Sequence, residues 1–132
     1  EARLFEGVAL MAAQRAIQRA SRHPDGWGIA LPCVAEFWSV VTHPAGAGGA
    51  STAQQAHGFL RALILEAGAK VWLPQQGFWE RLAQAAGDLR LQGPRIFDLQ
   101  IGLIAFENGA TEIWTHDRDF ATLPGLRFHD PL

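Results

Sequence analysis

Short apolar runs alternate with segments of helical periodicity along the whole chain, and this alternation restricts the fold more than any other feature. Helices are predicted over residues 4–20, 32–43, 51–67, 74–86 and 96–107, and strands over residues 27–31, 70–73, 112–115 and 126–128. Because parallel strands are usually joined by helical crossovers, the alternation favours an α/β domain with a mostly parallel sheet. In such sheets the functional site lies beyond the carboxyl ends of the strands.

The composition indicates one well-packed domain, which we expect to span residues 1–132. Hydrophobic residues make up 48% and charged residues 18% of the chain, which excludes a disordered tail. A net charge of −2 excludes binding of polyanions by bulk charge alone. No apolar run reaches the roughly 18 residues of a membrane span. Cys33 is the only cysteine, so a disulfide framework is excluded and a reducing, cytoplasmic compartment is favoured.

Two local patterns carry further expectations. Ser51 and Gln54 stand at the spacing of a capping box, with Ser51 accepting from a backbone amide and Gln54 reaching back to the start of the helix. Cys33 lies in an apolar helical pattern, where a cysteine is more often a small packing residue than a nucleophile.

The residues most informative about chemistry are acids in apolar surroundings. Glu36 is the only charge in one apolar helical segment, and Asp98 is the only charge in the middle of another. Ionised carboxylates are rarely buried unless they are paired or bind a cation. Either acid alone fits a helix end or a solvent-facing position, whereas the two together point to a shared site.

A third group of acids follows a predicted strand. Asp117 and Asp119 come directly after that strand, which places them at its carboxyl end. An Asp-rich turn, in which the side chains bond nearby amides, accounts for the same pattern. Carboxylates that converge without Cys or His partners are hard oxygen ligands, which suit Mg²⁺ or Mn²⁺ rather than zinc.

Three stretches of the chain carry a family resemblance. They are Pro32-Cys33-Val34-Ala35-Glu36-Phe37 with Val41-Thr42-His43-Pro44, then Ile96-Phe97-Asp98-Leu99-Gln100-Ile101, and finally Glu112-Ile113-Trp114-Thr115-His116-Asp117-Arg118-Asp119-Phe120 with Pro124-Gly125-Leu126. Together they resemble the motifs of PIN-domain ribonucleases of the VapC toxin type, over about residues 4–132. The resemblance implies a PIN-like three-layer domain, in which a mostly parallel central sheet is flanked by helices.

The same resemblance implies a function and a set of roles. The expected activity is Mg²⁺-dependent hydrolysis of RNA phosphodiester bonds, with Mn²⁺ as a possible substitute, by the toxin of a type II toxin–antitoxin pair. Glu36, Asp98 and Asp117 would be catalytic and bind the metal, and Asp119 is a weaker metal ligand.

The remaining expectations concern substrate and partners. Thr115 would orient Asp117, while Arg95 and Arg118 either contact phosphate or pair with the acids. An antitoxin protein and a second copy of the chain are the expected partners.

The chain also departs from the family pattern. The family begins with a central strand that ends in a metal-binding Asp, and nothing before Leu4 supplies it. We therefore expect the natural protein to carry that strand ahead of Glu1. The alternative is a catalytically inactive PIN-like module that binds protein or RNA, since one fold hosts diverse functions. An Asp at the end of the upstream strand favours the nuclease, and an apolar residue there favours the binding module.

Overall fold

The computed structural model describes residues 15, 18–20, 22–23, 26–44, 49–114, 123 and 126–129. The chain divides into two compact units, of which the first ends at Val71 and the second begins at Trp72. Each unit is described by itself. Within the predicted helix 4–20, residues 15 and 18–20 are helical, and the others lie outside the described residues.

The first unit contains short strands and the helices between them. Strand β1 (Gly28–Ala30) leads directly into helix α1 (Leu31–Val41), helix α2 (Ala53–Arg61) continues into a π-helical turn (Ala62–Glu66), and strand β2 (Lys70–Trp72) follows. Strands β1 and β2 pair with each other. The indole Nε1 of Trp27 donates to the carbonyl of Ala67 at 2.8 Å, and the amide of Lys70 donates to the carbonyl of Trp27 at 3.0 Å. These bonds tie the end of the π-helical turn to the start of β1.

The predicted capping box exists, but one residue later than expected. Thr52 rather than Ser51 is the N-cap of α2: its hydroxyl accepts from the amide of Gln55 at 3.0 Å. The Gln55 side chain in turn accepts from the Thr52 amide at 2.9 Å, so the prediction of Ser51 and Gln54 is wrong. The amide of Ser51 instead donates to the carbonyl of Val41 at 2.8 Å. This bond fixes Ser51 against the end of α1 and moves the start of α2 onward.

Helices α1 and α2 pack through an aromatic pair. The rings of Phe37 and Phe59 are stacked, with centroids 4.9 Å apart and planes 18° from parallel. Offset stacking of this kind stabilises a contact beyond the apolar area that it buries. Helix α1 has no fully buried residue and exposes Trp38 and Val40, although its sequence is almost entirely apolar.

The second unit contains helix α3 (Phe78–Asp88), helix α4 (Arg95–Glu107), strand β3 (Glu112–Trp114) and strand β4 (Arg127–His129). Strands β3 and β4 pair in parallel, with Ile113 opposite Phe128. Helix α3 begins four residues later than predicted because a turn precedes it. The amide of Phe78 donates to the carbonyl of Gln75 at 3.0 Å, and Gly77 has a left-handed φ of 77° that a helical residue does not adopt.

The core of the second unit is built around α4. Leu99 and Ile104 are 0% exposed, and Leu103 and Ala105 are also buried. A helix that is apolar on most sides is stable when neighbouring elements cover it, and burial of each large side chain stabilises the fold by about 1.5–3 kcal/mol. Helix α4 is therefore the most deeply packed element of the described chain.

The structure confirms the α/β class. In the part of the chain that is described, helices separate β1 from β2 and β2 from β3, and the four strands form two pairs, β1 with β2 and β3 with β4. The predicted single domain over residues 1–132 stays a prediction. Within the same described ranges, no helix is long and apolar enough to cross a membrane.

The burial pattern of α4 predicts a contrast between two neighbouring substitutions. Leu99→Ala removes a fully buried side chain and leaves a cavity, so it should lower the free energy of unfolding by about 2–5 kcal/mol. Phe97→Ala is the matched control, because Phe97 is 63% exposed and its loss should change stability by about 0.5 kcal/mol or less. Urea denaturation of both variants measures the difference. Equal destabilisation by the two substitutions would contradict the position of α4 in the core.

Candidate functional site

Asp98 lies in the first turn of α4 and is half-buried. Its neighbour in sequence, Leu99, is completely buried, so the backbone at Asp98 is fixed by the packing of the core. A carboxylate in the first turn is also favoured by the positive end of the helix dipole. The position therefore combines a rigid backbone with a side chain that is partly open to solvent.

Helix α4 is held at its other end by a network of polar contacts. The guanidinium of Arg81 donates to both carboxylate oxygens of Glu107, at 2.5 and 2.8 Å, and Nη1 donates to the carbonyl of Gln76 at 2.9 Å. The Glu107 carboxylate raises the pKa of Arg81 above its ordinary value, chiefly through this hydrogen bond. The Asn108 side chain donates to the carbonyls of Leu73 and Ile104, at 3.0 and 2.8 Å. These contacts join α3, α4 and the segment between β2 and α3.

Sequence reasoning did not find this network. Arg81 and Glu107 are 26 positions apart, and no local pattern pairs them. The Asn108-Gly109 pair in the sequence is typical of a helix end. The bond from Asn108 to Leu73 depends on a segment 35 positions away. A pairing of this kind is set by tertiary packing, and no local pattern in the sequence predicts it.

Glu36 lies on α1 and is exposed to solvent. The sequence leaves two interpretations of Glu36 open, a solvent-facing acid and a member of a shared site. Its exposure in the structure agrees with the solvent-facing interpretation. Glu36 lies one turn from Cys33 on the same helix, and its negative charge affects the pKa of the Cys33 thiol. The pKa of the Cys33 thiol is raised to about 11, first by burial and second by the negative charge of Glu36, while a backbone hydrogen bond at Ala30 acts in the opposite direction. Cys33 is therefore an uncharged thiol at neutral pH and a poor nucleophile, in agreement with the packing role predicted for it.

The electrostatic contact between Glu36 and Cys33 can be measured. Glu36→Gln should lower the pKa of Cys33 from about 11, but not to its ordinary 9.0, because burial is the larger cause. Ultraviolet absorbance of the thiolate as a function of pH gives the pKa, with Ser39→Ala as a neutral control on the same helix. Since the folded state holds this proton more tightly than the unfolded state, stability should also fall as pH rises from 9.0 to about 11. An unchanged Cys33 pKa in Glu36→Gln would contradict the proximity of the two groups.

The structure brings together some of the predicted site residues. Arg95 and Asp98 share the first turn of α4, at a spacing that places them as neighbours on one helix. Glu36 belongs to the first unit and Asp98 to the second, and these units are described separately. The residues predicted around the third acidic group, Thr115, Asp117, Arg118 and Asp119, lie outside the described residues. Strand β3 ends at Trp114, and Thr115 is the next residue in the sequence.

Asp98 and Glu36 are the described acids that the sequence predicts as metal ligands. Asp98 and Glu36 offer carboxylate oxygens, which is the ligand type that Mg²⁺ prefers. Residues 26–44 and 49–114 bring together no group of three or more His, Cys, Asp or Glu side chains that could hold a metal ion. A complete ligand set would therefore need the acids that follow β3.

Comparison with known proteins supplies a functional context. Over 106 residues the chain is 26% identical to Ribonuclease VapC48 from two strains of Mycobacterium tuberculosis, CDC 1551 / Oshkosh and ATCC 25618 / H37Rv. The matched region covers 80% of this chain and 70% of each relative. At this low identity, the chain is similar to a VapC-type ribonuclease. The α/β class and the parallel pairing of β3 with β4 are consistent with a PIN-like fold. No protein-family model matches the chain.

Proposed function

We propose that this protein is a Mg²⁺-dependent endoribonuclease and the toxin of a type II toxin–antitoxin pair. The observation that carries the proposal is the similarity to a ribonuclease over 80% of the chain. The position of Asp98 supports it, because a half-buried acid on a rigidly packed helix is suited to hold a cation in a fixed place. The metal dependence and the toxin role are the parts of the proposal that need experiment.

In this proposal the acids are the ligands of the metal ion. Asp98 would hold the cation directly, Glu36 and Asp117 would complete the site through the metal or bound water, and Asp119 would be a weaker ligand. The chemistry supplied by a bound Mg²⁺ is activation of water as a nucleophile and neutralisation of the charge on the phosphate. Without a cation, the carboxylates repel the RNA backbone. The acids therefore make RNA binding as well as hydrolysis dependent on the metal.

Arg95, Arg118 and Thr115 have supporting roles in the proposal. Arg95 is exposed one turn from Asp98, and its side chain has no hydrogen bond or ion pair in the part of the chain that is described. A guanidinium in this place suits a phosphate oxygen of the substrate, since Arg presents a planar fork of donors. Arg118 would make a similar contact, and Thr115 would orient Asp117 by a hydroxyl hydrogen bond.

The proposed partners follow from the toxin role. A cognate antitoxin would bind the protein in the cytoplasm and block the acidic site, and a second copy of the chain would form a homodimer. Helix α1 exposes Leu31, Trp38 and Val40, and exposed large apolar side chains of this kind are common at protein interfaces. This apolar surface supports a protein partner without choosing between the two.

Replacement of Asp98 tests the catalytic assignment. Asp98→Asn keeps the size of the side chain but removes the charge that binds the cation, so RNA cleavage should fall roughly 100-fold or more. Cleavage of total cellular RNA by the purified full-length protein, with Mg²⁺ present, measures the loss. Asp88→Asn is the matched control, because Asp88 is an exposed acid on α3 that has no role in the proposed site. Its carboxylate accepts a hydrogen bond from Gln84. Near-normal activity of Asp98→Asn would remove Asp98 from the metal site.

Removal of the metal is a separate test of the mechanism. EDTA should stop RNA cleavage, and addition of Mg²⁺ or Mn²⁺ in excess should restore it, because both cations accept carboxylate ligands. A melting curve recorded in EDTA shows whether the protein stays folded during the assay. Cleavage that continues in EDTA would exclude a metal mechanism. RNA binding without cleavage under any of these cations would instead support the inactive PIN-like module.

A further inference from the structure

The turn between α3 and α4 contains an arginine in an unusual backbone conformation. Arg90 has a φ of 55°, which makes it the one non-glycine residue with a left-handed φ among those that the structure describes. The left-handed region costs a residue with a Cβ roughly 1–2 kcal/mol. A chain keeps such a residue where its side chain has a use or where the cost is simply tolerated, so Arg90 needs an explanation.

The hydrogen bonds around Arg90 show which kind of turn this is. The amide of Arg90 donates to the carbonyl of Gly87 at 3.1 Å, and the amide of Leu91 donates to that of Ala86 at 3.0 Å. This pair of bonds is the Schellman motif, in which the left-handed position is usually glycine. Helix α4 ends in the same motif, and there the equivalent residue is Gly109, with a φ of 94°. The two helix ends therefore have the same geometry but differ in the residue at the position where glycine fits best.

Among the residues that the structure describes, the side chain of Arg90 has no partner that would explain its presence. Arg90 is exposed, and neither it nor Arg95 makes a side-chain hydrogen bond or ion pair within the described ranges. The nearby carboxylate of Asp88 accepts a bond from Gln84 at 3.1 Å. Residues 89–97 carry two arginines and no acid, so this turn is a positive segment directly before Asp98 in a chain of net charge −2.

We infer that Arg90 is a contact for the RNA backbone, and that Arg90 and Arg95 together form a phosphate-binding pair at the α3–α4 turn. This inference rests on the proposed ribonuclease function. The two arginines are five positions apart and thus separated by at most about 18 Å of extended chain. Arg90 lies in the turn before α4, and Arg95 shares the first turn of α4 with Asp98, so RNA held by both arginines reaches the proposed metal site. Exposed guanidinium groups bind phosphate by charge and by paired hydrogen bonds.

The inference predicts opposite effects of one substitution on stability and on substrate binding. Arg90→Gly should raise the melting temperature by a few degrees, because glycine adopts the left-handed conformation without strain. The same variant should raise the KM for a single-stranded RNA oligonucleotide about tenfold with little change in kcat, because a binding contact is lost and the acids are untouched. A residue that is only tolerated in the turn would change stability and leave KM as it was.

Arg90→Gln and the control Arg61→Gln separate the charge from the backbone. Arg61 is an exposed arginine at the end of α2 with no side-chain partner in the described part of the chain, so both variants lose one surface charge. The KM for the same oligonucleotide, taken as the measure of affinity, is determined with Mg²⁺ at several salt concentrations. Arg90→Gln should reduce the slope of log affinity against log salt by about 0.7, the value for one phosphate contact on single-stranded nucleic acid, and Arg61→Gln should not.

The outcomes distinguish this inference from the function on which it rests. If the unaltered protein cleaves RNA but Arg90→Gln and Arg61→Gln have the same KM and salt slope, Arg90 is not an RNA contact and the ribonuclease assignment stands. If the unaltered protein neither binds nor cleaves RNA with Mg²⁺ or Mn²⁺, both the assignment and the inference fail. A raised KM with a reduced salt slope for Arg90→Gln alone supports the phosphate-binding pair.

Discussion

Burial of one face of α4 is the interaction on which the second unit depends. Leu99 and Ile104 lose all contact with solvent, and Asp98 is adjacent to the first of them in the chain. An acid displaced along a helix by even one residue would turn by about 100° and face a different neighbour. The packing of α4 therefore decides where the carboxylate points. The polar network of Arg81, Glu107 and Asn108 fixes the opposite end, so the helix is held at both ends.

Much of this arrangement could be predicted from the sequence because its causes are local. Helix α4 was predicted over residues 96–107 and spans Arg95–Glu107, since its apolar content and the Asn-Gly pair after it mark both ends. The N-cap of α2 was misplaced by one residue because Ser51 and Thr52 are equivalent as local patterns. Only a bond to Val41, on another helix, chooses between them. The late start of α3 has a similar cause, a turn whose left-handed Gly77 the pattern of apolar residues does not reveal.

In the candidate site, too, local sequence patterns identify the residues, whereas their exposure depends on tertiary packing. The sequence identifies Glu36 and Asp98 as isolated charges, but exposure depends on what covers each helix. Helix α1 remains largely uncovered, so Glu36 is exposed despite apolar neighbours, while α4 is packed and Asp98 is half-buried. Composition alone cannot separate these cases, because both helices are apolar. The αL conformation of Arg90 was likewise beyond sequence reasoning, since an arginine between Leu89 and Leu91 gives no local sign of a left-handed turn.

The charges of the second unit suggest why a nuclease of this kind would keep a strained arginine. A site made of carboxylates repels a polyanion, and a cation at the site offsets that repulsion only locally. Contacts with the RNA backbone beyond the first phosphate then have to come from other groups, and exposed arginines are suited to them. Glycine at position 90 would relax the turn but remove one of the two arginines of residues 89–97. Under the proposed RNA contact, retention of substrate and stability of the turn are therefore in conflict at this position.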